Sequence, residues 1–229
     1  MVVSTVIART AAPLRQQVVR VIREDILSGK LTPGQRLIET NLCETYGVSR
    51  TVIREALRQL ESERLITVRP NMGPIVTTLT DSEIRAIYVV RATLEGLAGK
   101  LFAENAKLPD CRALLKLRDR LDKEYRKGDV DSREAIKAEF YELLLRGAGN
   151  EVLTEQLRSI HARIAMFRRF AFVNEDRIEP SIRELETIIG AAAEARDPEA
   201  AWRACEHHIV ISADLAIMEY SKIGRALAS

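Results

Sequence analysis

The chain has 229 residues, 35 Lys+Arg against 33 Asp+Glu for a formal net charge of +2, and 46% hydrophobic residues. The near-neutral balance excludes a histone-like or polybasic protein, and the apolar content excludes a disordered one. The length suits two domains, each able to bury a core.

In chain order, residues 14–29 read as a helix, with Leu14, Val18, Val21 and Ile22 at helical spacing and Gly29 at the end. Pro33-Gly34 marks a turn. A short helix over 39–46 ends at Gly47, and a third runs from Ser49 to about Arg64. The Ser49 hydroxyl is placed to accept a hydrogen bond from a first-turn amide. The period then changes to two: 65–69 and 74–79 are β-type runs about the turn-rich 70–73, a small hairpin. Thr80 and Glu83 form a capping box that opens a helix to about Ala106, broken at Leu108-Pro109. Further helices cover about 110–127, 131–147, 151–172, 175–195 and 198–222, the last opened by Asp197-Pro198.

The fold class is therefore mainly α. A winged helix-turn-helix with a small β-hairpin wing occupies 1–79, and an all-α six-helix bundle occupies 80–229. Charge divides at the same place: 1–79 carry 11 Lys+Arg against 7 Asp+Glu, a net +4, and 80–229 carry 24 against 26, a net −2. A basic front and an acidic back predict that only the front meets a polyanion.

The third helix carries the front's chemistry. Ile53, Ala56, Leu57 and Leu60 form an apolar stripe, while Arg50, Arg54 and Arg58 recur every four residues and share another face. Guanidinium groups there can reach base edges or phosphates, and the fork suits guanine O6 and N7. Ser49, Thr51 and the helix N-terminal amides suit a phosphate oxygen. A solvated face is the competing reading of three such arginines; the short helix before them and the hairpin after them favour DNA.

Three widely spaced cysteines, Cys43, Cys111 and Cys205, make neither a disulfide framework nor a Cys-x-x-Cys metal knuckle. The start MVVSTVIARTAAP lacks the pattern of a signal peptide, and no apolar run reaches ~18 residues. The expected setting is cytoplasmic, with reduced thiols and no membrane partner. An enzyme is not expected: there is no Gly-x-Ser-x-Gly elbow, Gly-rich phosphate loop, His-Glu-x-x-His or dinucleotide fingerprint.

The stretch 18–77 resembles the DNA-binding domain of GntR-family bacterial repressors. The resemblance is carried by 26–31, Pro33-Gly34, Leu37-Ile38-Glu39, Tyr46-Gly47-Val48-Ser49-Arg50-Thr51 and 54–60, with Gly73 at the wing glycine. It implies base or phosphate contacts for Arg50 and Arg54, phosphate contacts for Ser49 and Thr51, and a minor-groove wing tip at Asn71–Gly73. Val52 replaces a common proline, and Thr40 stands where some members place a further DNA-contacting arginine. The resemblance also implies a homodimer on an inverted-repeat operator.

Residues 80–222 resemble the FCD effector domain of the FadR subfamily in its shorter, VanR-like form. The carriers are Arg91-x-x-Leu94-Glu95, Phe140, Gly147-Ala148-Gly149-Asn150 and Asp197-x-x-Ala200-Ala201 leading to His208. Most such domains hold a divalent metal through an Asp, a His four residues on and two later His. Counting from the carriers puts those positions at Lys137, Tyr141, Glu186 and His208. An ammonium cannot ligate a metal at neutral pH and tyrosine is a rare ligand, so the usual metal is expected to be absent or weak, with no other cofactor.

Lys137 is expected to replace the metal's charge, pairing with Glu186 or holding an effector carboxylate. Arg91 and Arg163 are candidate anion clamps beside Tyr141 and His208. The competing readings are a solvated face for Lys137, core for Tyr141, hydrogen-bonded structure for His208 and ordinary ion pairs for the arginines. The Met166-Phe167-x-x-Phe170-x-Phe172 run reads as core or a pocket wall. The expected whole is a repressor controlled by a small anionic effector, an organic acid or acyl compound. The alternative is a DNA-binding regulator whose C-terminal half is structural or metal-binding.

Overall fold

The computed structural model describes the backbone of residues 12–228 and the side chains of 14–164 and 172–220. The leader reading of the first residues and the side chains of Met166, Phe167 and Phe170 lie outside the described residues. The chain divides into two compact units, Met1–Thr78 and Leu79–Ser229.

The first unit contains α1 (Ala12–Leu27), α2 (Glu39–Tyr46), α3 (Arg50–Ser62), β1 (Ile66–Arg69) and β2 (Gly73–Val76). Its core joins Val18, Ile22 and Ile26 of α1 to Ile53, Ala56 and Leu60 of α3 and to Ile75 and Val76 of the hairpin. The strands pair antiparallel from Ile66 opposite Val76 to Arg69 opposite Gly73. The segment before α2 adds to the hairpin's edge, Leu37 N–H donating to Pro74 O at 2.8 Å. Gly47 ends α2 at φ 65°, a left-handed conformation that costs glycine little and lets the chain turn at once into α3. α1 ends at Leu27, earlier than its periodicity predicts, because the chain is already turning toward Gly29 at φ 80°.

The second unit is a bundle of α4 (Asp81–Asn105), α5 (Leu108–Arg120), α6 (Val130–Ala148), α7 (Glu151–Ala171), α8 (Ile178–Ile189) and α9 (Pro198–Ala228). The Thr80–Glu83 capping box opens α4. Asp197 Oδ1 accepts from the Glu199 and Ala200 amides, opening α9. Pro109 lies inside the first turn of α5 rather than before it, where its missing N–H costs nothing. α5 and α8 each run on into a π-helical turn, Leu121–Arg126 and Gly190–Ala195. α4 and α9 meet through two glycines: a Cβ at Gly99 would stand 2.7 Å from Cys205 Sγ and 2.9 Å from Ala201 O, and one at Gly96 3.0 Å from the Trp202 ring. Phe102, Leu114, Leu117, Phe140, Leu157 and Leu185 centre the core. Among the described residues no helix is long and apolar enough to cross a membrane.

Candidate functional site

On the first unit, α3 presents Arg50, Thr51, Arg54 and Arg58 on its exposed side, opposite the buried Ile53, Ala56 and Leu60. Ser49 caps this helix, its Oγ accepting from the Val52 amide at 3.5 Å. Glu39, the first residue of α2, aims Arg54: Arg54 Nε donates to both of its oxygens at 2.8 and 2.9 Å. In the hairpin turn Asn71 at φ 63° and Gly73 at φ 77° both adopt left-handed conformations, so the tip reverses tightly and stays exposed at Asn71. One face therefore carries three arginines at helical spacing beside a protruding hairpin, an array suited to a polyanion groove.

Inside the second unit lies a buried polar cluster. Arg91 and Glu95, one turn apart on α4, are 1% and 2% exposed. Arg91 Nε donates to Glu95 Oε1 at 2.5 Å, and its Nη2 donates to Tyr141 Oη on α6 at 2.7 Å. His161 Nε2 on α7 lies 2.8 Å from the same Glu95 oxygen. Burial by itself would raise the Glu95 carboxyl; the Arg91 guanidinium and then His161 outweigh it and hold it at about 2.

A second chain of contacts starts at Lys137 on α6, 4% exposed. Its Nζ lies 2.7 Å from His208 Nε2 on α9 and 3.4 Å from Ser181 Oγ on α8. His208 Nδ1 lies 2.5 Å from Glu184 Oε2, which Arg177 also holds. Burial, then the neighbouring Lys137, lowers His208 to about 4, so the ring is uncharged at neutral pH. Glu184 would be raised by burial, but His208 and Arg177 hold it at about 2. That carboxylate can only accept, so the imidazole N–H is at Nδ1 and Nε2 turns its lone pair toward Lys137.

Part of this network walls a cavity of about 30 Å³, lined by Arg91, Lys137, Arg177 and His208 with tyrosine and serine hydroxyls; no acidic side chain is among its described lining residues. That is room for roughly a water or two. Arg177 Nη1 is buried there with no hydrogen-bond partner among the described residues.

The bundle thus brings Arg91, Lys137, Tyr141 and His208 to one place. It leaves Glu186 exposed on α8, whose buried face is marked by Ile182, Leu185 and Ile189. Glu184, about 200° around the helix from Glu186, supplies the inward carboxylate instead. Arg163 is also elsewhere, in a separate surface depression with Glu83, Ile87, Val90 and Ile160. Phe172 is a described lining residue of the cavity. Sequence reasoning missed Glu95, His161, Arg177 and Glu184. The Arg91–Glu95 spacing of four among small residues was a readable signal for the first; the other three had none.

A divalent metal does not fit these residues. Lys137 Nζ, not a metal donor, faces His208 Nε2, and Tyr141 Oη accepts from Arg91. Among the described residues no group of three His, Cys, Asp or Glu side chains could hold an ion.

Comparison with known proteins agrees with both units. Residues 14–76 match the family described as bacterial regulatory proteins, gntR family, and 86–210 match the FCD domain. The uncharacterized HTH-type transcriptional regulator YdhC of Bacillus subtilis is 31% identical over 168 residues, 73% of this chain and 75% of that one. The HTH-type transcriptional repressor RspR of Escherichia coli is 25% identical over 197 residues, 86% of each chain. The solved structure of E. coli McbR/YncC superposes with a TM-score of 0.75 at 24% identity, over 90% of this chain and 98% of that one. These families are transcriptional regulators, not enzymes. These matches, to the unit with the arginine-bearing helix and hairpin and to the helical bundle that follows it in the chain, place this protein in the GntR family of DNA-binding transcriptional regulators, with an FCD domain.

Proposed function

We propose that the protein is a repressor that grips an inverted-repeat operator as a homodimer and releases it when a small anionic effector enters the FCD cavity. The observation that carries this reading is the cavity wall: Arg91, Lys137 and Arg177 around a space with no acidic side chain among its described lining residues. Glu95 and Glu184 pair with Arg91 and Arg177, so three cations face two carboxylates and the cluster keeps one positive charge in excess, which attracts an anion. Tyr141 and His208 orient the ligand, while Arg163 and Glu186 serve elsewhere.

On the operator side, Arg50, Arg54 and Arg58 meet base edges and phosphates, Ser49 and Thr51 meet phosphate, and the Asn71–Gly73 tip enters the minor groove. Repression is favoured by relatives that carry that name. Coupling between the two sites is expected to be ~1–3 kcal/mol, or about 5- to 150-fold in operator affinity.

The test joins two measurements. Fluorescence anisotropy with operator DNA selected from random sequence should show steep loss of affinity with salt. Arg50→Ala should cost both affinity and base preference; a variant with its preference intact places Arg50 on phosphate alone. A panel of organic acids should contain one that raises the melting temperature and lowers operator affinity. A panel that does neither leaves the bundle as a structural partner of the DNA-binding unit.

A further inference from the structure

Glu184, His208 and Lys137 form a relay. The carboxylate fixes the ring tautomer, and the ring's second nitrogen faces an amine nitrogen at 2.7 Å. This is the order in which a base, oriented by a third group, activates a nucleophile. Here the nucleophile position is held by a lysine, 4% exposed, in the wall of the cavity. An ammonium cannot supply the Lewis acidity of the metal that the family resemblance implies, but an amine activated by His208 can bond to a carbonyl carbon.

We propose that Lys137 anchors a small 2-oxo acid in this cavity as an imine. The inference rests on the cavity being the effector site and goes beyond it by assigning the chemistry of capture. Lys137 reacts as the free amine after releasing its proton to solvent, and Nζ attacks the carbonyl carbon. The C–N bond forms as the carbonyl π pair moves to oxygen. His208 Nε2, facing Nζ, takes a proton from the nitrogen of this adduct and hands it to that oxygen. The oxygen takes a second proton from solvent and leaves as water. Amine, carbonyl and one proton become protonated imine and water, with no oxidant or reductant. The acid's carboxylate is received by Arg177, whose buried Nη1 lacks a hydrogen-bond partner among the described residues. With about 30 Å³ of space the smallest member of the class, glyoxylate, enters with least rearrangement.

The experiment treats the full-length protein with glyoxylate and sodium cyanoborohydride at neutral pH and maps the products by peptide mass spectrometry. The expected result is a reduced adduct on the Lys137 peptide, formed faster than at exposed lysines such as Lys30 and Lys127. The Lys137→Arg variant loses that adduct, and folded His208→Gln forms it at least ~100-fold more slowly. Labelling of Lys137 no faster than of the exposed lysines, or unchanged in His208→Gln, overturns the proposal. Glycolate, which lacks the carbonyl, separates the two readings. Equal thermal stabilisation by glycolate and glyoxylate, without an adduct and kept in Lys137→Arg, refutes the imine and leaves the anion effector standing. An adduct on Lys137 that leaves operator affinity unchanged supports the imine and refutes effector control.

Discussion

Replacing Glu95 with Gln keeps the side chain's shape and removes its charge. Arg91 then stays 1% exposed with its Tyr141 hydrogen bond but without its carboxylate. Breaking a buried ion pair by removing one partner costs ~3–5 kcal/mol, because the other charge remains buried. That lowers the folding constant by roughly two to three and a half orders of magnitude. Urea unfolding followed by the fluorescence of Trp202 reads this region directly, since the ring packs against Gly96 beside Glu95 and is the only tryptophan. The double replacement Arg91→Met with Glu95→Met should recover most of the loss, because apolar residues need no counter-charge. A loss below about 1 kcal/mol, or a double variant no more stable than Glu95→Gln, refutes this account of the pair. Glu95 also has a pH signature. Its carboxyl is held at about 2 in the fold, so its stabilisation is complete above the ordinary carboxyl pKa and is lost as pH falls toward 2; Glu95→Gln should lack that portion of acid sensitivity.

Other predictions are simpler. His208 is lowered to about 4 from an ordinary value of 6.5, so its contribution is complete above 6.5 and fades as pH falls to 4. About 3 kcal/mol should disappear across that window in Trp202-monitored urea titrations, and His208→Gln should flatten it. A methyl group at Gly147 would stand 2.3 Å from the buried Phe102 ring, so Gly147→Ala should destabilise by ~1–3 kcal/mol in calorimetry. Glu39→Gln releases Arg54 from its carboxylate, so the salt dependence of operator binding should steepen by about one unit of slope in anisotropy titrations.

The elements of the fold were legible because the apolar residues repeat at 3.6 across each helix and at 2 in the hairpin. Caps such as Thr80–Glu83 and Asp197 are local chemistry that a sequence displays. The π turns after α5 and α8 were not, since they are settled by packing and not by pattern. Within the buried cluster, Lys137, Tyr141 and His208 came through resemblance, but the carboxylate was assigned to Glu186. Two glutamates two residues apart look alike in sequence, and only the rotation of α8 against the core decides which of them turns inward. Arg163 shows the same limit, as its charge says nothing about which side of α7 it occupies.

The glycines between α4 and α9 have a consequence for how such a sensor acquires its ligand. Arg91 and Glu95 lie a turn or two from Gly99 on one helix, and His208 lies three residues beyond Cys205 on the other. The spacing of the two helices, and so the gauge of the chamber their side chains share, is set by two methyl groups the chain does not possess. Enlarging either glycine would spread the chamber without touching any residue that lines it, so ligand size can be retuned from outside while the cationic wall keeps its chemistry.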